Sequence, residues 1–373
     1  MKILVRAPGR VNLIGEHTDY NLGFVLPMAI NRGITLTAAL RQDNMIHALA
    51  RDKEESHSFS LTELRPNQKL RWWSYLEGTC WALMEEGYEL QGADLSFGGD
   101  IPIGAGLSSS AALEVAVAAA FTYLNDIEID SRKLALICQK AENDYVGVKC
   151  GIMDQFASAL SAPEHALFID CRTQDFELVP IDQQQYTFMI IDSRVRRSLA
   201  HSEYNRRREE CEEALSIISD ITGKPKLSLR DVTLDELNEA RRILPDTLFR
   251  RSLYVLEENR RVLDAVKALA NKEMASFGTL MNLSHRGLRD LYEVSCKELD
   301  LIVEIAQNCE GVLGARMTGA GFGGCVVALV EKDLAANLQQ QILTKTKNTL
   351  SQKPLFYVTP AAGGFSVQEI EES

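Results

Sequence analysis

Residues 101–115 read IPIGAGLSSSAALEV, a glycine-rich loop running straight into a helix of small residues. Glycines at 104 and 106 let backbone amides come close to a ligand. Three serines offer hydroxyls and a helix N-cap, and the helix start adds unpaired N–H groups and the positive end of a dipole. Such a corner attracts phosphate. The lysine of the pattern G-x-x-x-x-G-K-[ST] is missing, so an ordinary P-loop NTPase is not indicated. Taken alone, the loop leaves two readings open, a plain helix cap and a phosphate site.

Around that corner the chain alternates short strands with helices. Residues 2–7, 33–40, 45–50 and 93–97 pattern as strands, and a helix is expected from Trp72 until Gly87 stops it. Between the first two strands lies an expected long loop holding GRVNLIGEHTDYNLGFVLPMAI, anchored by Val11, Leu13, Ile14, Phe24 and Leu26 and therefore ordered. Helices are expected at 131–146 and 152–160 and strands near 165–170 and 186–192. The second half is mainly helical, over 201–219, 233–243, 247–270, 273–286 and 296–309, with a capping box from Thr233 to Glu236. The C-terminal region reads strand, glycine loop, strand, helix, strand. Together these give an α+β protein, and 373 residues suffice for two cores. With no linker or repeat to mark a division, we place it near 175, giving domains 1–175 and 176–373.

Composition excludes several classes. Forty basic against 52 acidic side chains give a net charge of −12, which advertises no nucleic-acid face. Eight scattered cysteines without a C-x-x-C spacing fit reduced thiols in a cytoplasmic protein rather than a zinc site. The N-terminus lacks a secretion signal. The most apolar helix, 111–121, contains Glu114 and is too short to span a bilayer. No obligate protein partner is evident.

Other stretches bear on the chemistry. GAGFGG at 319–324 matches G-x-G-x-x-G, but β-prone CVVALV follows it instead of a helix, so a dinucleotide fold is rejected. Ligand loop and loose hairpin both remain open for it. Glu16, His17 and Asp19 place two carboxylates and an imidazole within four residues. Such groups suit the donor and acceptor hydroxyls of a monosaccharide, or else simply shape an Asx-type turn. Arg10 has a fork of donors fitted to phosphate. Glu142 and Asp154, in KAENDYVGVKCGIMDQF, could serve a metal and a hydroxyl, or be a solvated acid and a first-turn acid. Cys150 is read as packing. Arginines 194, 196, 197, 206, 207 and 208, interleaved with glutamates, are read as a solvated helix face.

Three stretches together, the region 10–19, PIGAGLSSSAALE and RMTGAGFGGC, resemble the motifs of the GHMP small-molecule kinases, in that family's order. GRVNLIGEHTDYNLGFVLP is similar to the signature of the galactokinase branch, as are AENDYVGVKCGIMDQF and SEYNRRREECEEAL, and the likeness runs through nearly the whole chain. The resemblance implies an N-terminal domain like ribosomal protein S5 domain 2 and a C-terminal ferredoxin-like domain, with the site in the cleft between them. It implies transfer of the ATP γ-phosphoryl group to the anomeric hydroxyl of galactose. By position, Glu16, His17, Thr18, Asp19, Gly151 and Tyr204 would hold the sugar, and Gly104, Ala105, Gly106, Leu107, Ser108, Ser109 and Ser110 would cradle ATP. Ser110 and Glu142 would hold Mg2+, Asp154 would meet the reacting hydroxyl and Arg10 would stabilise the transferred charge. Thr18 in EHTDY points to galactose rather than N-acetylgalactosamine. The uninterrupted GLSSSAALE points to an enzyme rather than a non-catalytic sugar sensor. The chain begins almost at its first expected strand, where many relatives carry an N-terminal lead, so differences are expected at the sugar-side rim.

Overall fold

The computed structural model describes residues 1–66, 71–102, 104–196 and 200–371. In chain order the first region comprises β1 (Lys2–Asn12), β2 (Phe24–Val25), β3 (Pro27–Leu40), β4 (Met45–Ala50), β5 (Glu55–Ser60), α1 (Trp72–Glu85), β6 (Ala93–Gly99) and α2 (Ser109–Leu124). It continues with α3 (Ser131–Lys140), α4 (Met153–Leu160), β7 (His165–Asp170) and β8 (Asp175–Pro180). Then follow β9 (Tyr186–Asp192), α5 (Ala200–Thr222), α6 (Leu234–Ala240), α7 (Asp246–Ala270), α8 (Met274–Asp290), α9 (Lys297–Gln307) and β10 (Val312–Thr318). The last elements are β11 (Cys325–Glu331), α10 (Ala335–Thr346), β12 (Leu355–Thr359) and β13 (Ser366–Ile370).

A six-stranded sheet in the order β13-β1-β3-β6-β4-β5 forms the first layer. Its inward residues, such as Ile3, Val5, Leu36 and Ile46, alternate along each strand and are buried beneath α1 to α4. Helix α2 is central and packs on β1, β3, α1, α3 and α4. Its alanines let neighbours approach from every side, and its buried valines and leucines each contribute about 1.5–3 kcal/mol. The β1/β3 register shifts between Pro8 and Arg10. Proline cannot donate to a ladder, and the resulting irregularity re-aims the next side chains. Arg10 is thereby turned toward the glycine loop, and its N–H meets the Leu107 carbonyl at 3.2 Å.

The second layer is a four-stranded antiparallel sheet in the order β10-β11-β9-β12. Numbered from β9, that is 2-3-1-4, with α5 to α9 before the second strand and α10 before the fourth. This is the split βαββαβ arrangement of a ferredoxin-like domain. A three-stranded sheet, β2-β7-β8, flanks the first layer.

The expected long loop is shorter than its polarity suggested. β1 runs on to Asn12 and β3 starts at Pro27, because polar residues on one face of a strand can still be paired in the ladder. Strands β5, β8 and β13 were missed: with burial patterns such as eeeeBe and eieei they carry almost no apolar periodicity. A division at 175 would cut the β7/β8 ladder, which pairs Asp170 with Asp175, and would ignore β13, which pairs with β1. The layers instead part between Pro180 and Tyr186, and the chain returns to the first sheet at its last strand.

Helix α8 crosses β10 without any intervening side chain. A Cβ on Gly278 would fall 2.4 Å from the Leu313 carbonyl oxygen, and one on Gly314 would fall 2.2 Å from the Gly278 carbonyl oxygen. Both obstacles are backbone and cannot swing aside. Gly278→Ala is therefore expected to lower stability by about 1–3 kcal/mol in denaturant titration; an unmoved midpoint would refute this close approach.

Candidate functional site

Where the two layers meet, a cavity of about 1570 Å³ opens. Its floor is the glycine loop. Gly104, Ala105, Gly106, Leu107, Ser108, Ser109 and Ser110 all line it, facing the second glycine loop, 318–324, across the cleft. The two loops nearly touch: a Cβ on Gly324 would lie 3.2 Å from the Ala105 carbonyl oxygen. GAGFGG is thus a cleft wall rather than a loose hairpin.

Arg10 is buried and forks. Its Nε and Nη2 donate to Asp154 Oδ1 at 2.8 and 2.7 Å, and its Nη1 donates to the Gly106 carbonyl at 2.6 Å. Ser108 sits at φ +60° and gives its hydroxyl not to its own helix but to Asp154 Oδ2, at 2.5 Å. The expected serine cap is therefore not made by the side chain, because a stronger, charged acceptor competes for the hydroxyl. That leaves the first-turn amides of α2 beside the cavity without a side-chain acceptor from Ser108.

Glu142 lies on a single π-helical turn, Ala141–Val146, that widens the end of α3. Such turns accompany functional sites. Its Oε2 accepts from Gln155 Nε2 at 2.7 Å and from the Cys150 thiol at 3.4 Å, while Oε1 meets the Ser110 hydroxyl at 3.5 Å. Burial, reinforced by the Asp154 charge, pushes the Glu142 carboxyl up to about 7. A carboxylate beside a hydroxyl, both oxygen donors and with charge to neutralise, suits a hard divalent cation that takes its other ligands from phosphates and water. Among the described residues, no group of three or more His, Cys, Asp or Glu could hold a metal unaided.

The residues expected to hold a sugar are not equivalent. Thr18 is fully buried, its hydroxyl directed at the Gly15 and Phe24 carbonyls at 2.8 and 2.6 Å, and it does not line the cavity. It braces the turn. Glu16 reaches the cavity wall, but its Oε1 accepts from Gly319 N at 2.7 Å and Thr318 Oγ1 at 3.0 Å. Its Oε2 accepts from Asn12 Nδ2 at 2.9 Å.

His17 is held at φ +61°, and burial drives its imidazole down to about 3, so it is neutral. A carbonyl can only accept, so Nε2–H donates to Ala320 O (3.2 Å) and Nδ1 accepts from Tyr20 OH (2.9 Å). The chain continues through Tyr292 OH, 2.8 Å from Tyr20 OH, to the Cys211 thiol at 3.1 Å. Tyr204 closes over this group, its ring 5.4 Å from those of both His17 and Tyr20.

Asp19 also lines the cavity. Burial, with the charges of Asp154 and Glu16, raises its carboxyl to about 6. Gly151 makes room for it: a Cβ there would sit 2.1 Å from Asp19 Oδ2.

The arginine stripe divides. Arg206 and Arg208 pair with glutamates four residues on, as expected. Arg207 is buried, donating to the Tyr292 carbonyl at 2.8 Å, and Arg196 lines the cavity, gripped by the buried Asp192 at 2.7–2.9 Å. Arg197 lies outside the described residues. Nothing in the sequence marked Asp192, Tyr20 or Tyr292, which are brought in by tertiary packing. The aromatic flank of the cavity, Trp72, Trp73, Phe97 and Tyr357, also went unmarked, since those residues read as ordinary helix and strand positions.

The two glycine loops, the forked Arg10 and the Ser110–Glu142 pair all meet in this one cleft. The family model for the GHMP kinases N terminal domain matches residues 74–162 and that for the GHMP kinases C terminal domain matches 265–348. The galactokinase galactose-binding signature matches residues 1–40. A galactokinase of Roseiflexus sp. (strain RS-1) is 43% identical over 362 residues, 97% of this chain and 92% of the relative. One of Thermotoga neapolitana is 41% identical over 98% of this chain and 99% of the relative. A crystal structure of Lactococcus lactis galactokinase complexed with galactose superposes with a TM-score of 0.94 at 37% identity, covering 98% of this chain and 95% of that one. A mevalonate kinase, 20% identical with a TM-score of 0.68, shares the fold. The chain belongs to the galactokinase family and is a sugar kinase.

The raised Asp19 carboxyl links pH to stability. Its protonated form is favoured in the folded state, so its contribution is full below about pH 4 and is lost as pH rises through 6. Asp19→Asn, which keeps the shape without the charge, is expected to unfold at a higher temperature than the unaltered chain at pH 8. That advantage should shrink toward pH 4; equal advantages at both would refute the assignment.

Proposed function

We propose that the chain transfers the γ-phosphoryl group of ATP to the anomeric C1 hydroxyl of D-galactose, giving galactose 1-phosphate and ADP, the first committed step of galactose catabolism. One observation carries this reading: Arg10 bonds Asp154 and the Gly106 carbonyl at once, so the acid expected at the hydroxyl and the loop expected at the phosphates share one cation.

ATP lies with its phosphates on 104–110, against the exposed amides of α2 and the positive end of that helix. The aromatic flank by Trp72, Trp73 and Tyr357 offers stacking faces to a base. Ser110 and Glu142 would hold Mg2+, which would neutralise charge on the phosphates. Galactose sits between Asp19, Gly151, His17 and Tyr204, with Glu16 shaping the wall.

The C1 oxygen attacks the γ-phosphorus, the bond to the bridging oxygen breaks, and ADP leaves. In a loose transition state most of the gain comes from alignment and charge stabilisation. Asp154, held from both sides by Arg10 and Ser108, points its carboxylate at the hydroxyl and takes the proton late. Arg10 stabilises the charge on the moving phosphoryl group. All eight cysteines are free thiols and no described helix is long and apolar enough to cross a membrane, which supports action in the cytoplasm. No nucleic acid, membrane or protein partner is invoked.

Galactose-dependent release of ADP in the presence of Mg2+, with galactose 1-phosphate identified as product, tests the assignment. Asp154→Asn should lose at least about 100-fold in turnover while galactose affinity survives. Full turnover in that variant would reject the role of Asp154.

A further inference from the structure

Behind Glu142 stands a second acid that the reaction does not use. Glu114, on α2, is fully buried in a helix whose other core-facing residues are apolar or small. Among the described residues no arginine or lysine pairs with it. Its Oε2 accepts from Gln155 Nε2 at 3.0 Å, and the same nitrogen donates to Glu142 Oε2 at 2.7 Å. An amide nitrogen has two hydrogens, and both are spent, one on each acid. The nitrogen end of the Gln155 amide thus faces both acids.

The consequence falls on Glu142. With Oε2 saturated by Gln155 and Cys150, the oxygen left facing Ser110 and the cavity is Oε1. A buried carboxyl without a counter-charge is costly, and a leucine at 114 would fill the space without that cost. Burial raises the Glu114 acid well above the ordinary range, with the Glu142 charge adding to it. A neutral acid keeps an acceptor oxygen for the amide and adds no negative charge.

We propose that Gln155 and Glu114 are positioning residues for the Glu142 carboxylate: Glu114 anchors the Gln155 amide, and the amide turns Glu142 Oε1 toward Ser110 and the bound cation. The effect is on cation affinity, not on the sugar. This rests on Glu142 meeting the divalent cation, and the measurement separates the two claims.

The probe is Mn2+ in the presence of ADP, its free concentration followed by electron paramagnetic resonance on the full chain. Tight binding by the unaltered protein, lost in Glu142→Gln, upholds the underlying reading; if Glu142→Gln binds Mn2+ as tightly, that reading fails before any partner is considered. Gln155→Leu and Glu114→Leu should then weaken Mn2+ binding by about 10–100-fold, the usual cost of removing a group that orients a metal ligand. Galactose affinity should be unchanged in both. Glu114→Gln, which preserves an acceptor, should bind Mn2+ nearly as the unaltered chain does, and raised Mg2+ should restore turnover to Gln155→Leu. Unchanged Mn2+ affinity in Gln155→Leu overturns the proposal, as does a loss in Glu114→Gln equal to that in Gln155→Leu. These two variants decide the matter if Glu114→Leu does not fold.

Discussion

The cleft exists because one carboxylate spans it. Glu16 leaves the end of the first strand region and accepts hydrogen bonds from Thr318 and Gly319 of the second layer, with the buried Arg316 guanidinium 3.5 Å away. Arg316 is fully buried and also donates to the Asn12 carbonyl at 3.0 Å. Breaking such a pair costs about 3–5 kcal/mol, because the surviving charge is left without compensation. Glu16 also stops the second glycine loop at a fixed distance from the first. The neighbouring Gly15 amide is tied to Glu258 on α7 at 2.9 Å, so the same turn is held by two elements of the second layer.

From that fixed span the rest of the site follows. The turn that carries Glu16 also carries His17 and Asp19. His17 extends the tie through Ala320 and, by way of Tyr20 and Tyr292, into the helical body. Of three consecutive polar residues and the acid after them, the first two are consumed in joining layers, the third braces the turn, and Asp19 faces the ligand space. A cluster that looked from its composition like a set of sugar contacts also does much of the work of joining the layers.

Much of this was legible in the residue order. Glycine loops, helix periodicity and the helical second half were correctly placed, because small residues and 3.6-residue spacing carry local signals that survive folding. Asp154 and Glu142 could be marked as candidates, but only three motifs in a known order chose between their roles. What could not be read depends on long-range geometry. Ser108 forsakes its helix for Asp154, forty-odd positions away in the chain, and Arg207, which patterned as solvent-facing, is buried under Tyr292. Thr18 belongs to the signature, and its hydroxyl is directed at the Gly15 and Phe24 carbonyls. Strand β13, half exposed, became visible only through its ladder with β1.

That ladder sets an order on biosynthesis. β1 is flanked by β3, which emerges early, and by β13, whose Ile370 pairs with Lys2. Until β13 leaves the ribosome, the nascent first layer carries an open strand edge, the kind of surface that recruits other chains. A sheet that seals only when distant segments are joined closes late, and the β1 edge stays unpaired until β13 has been made.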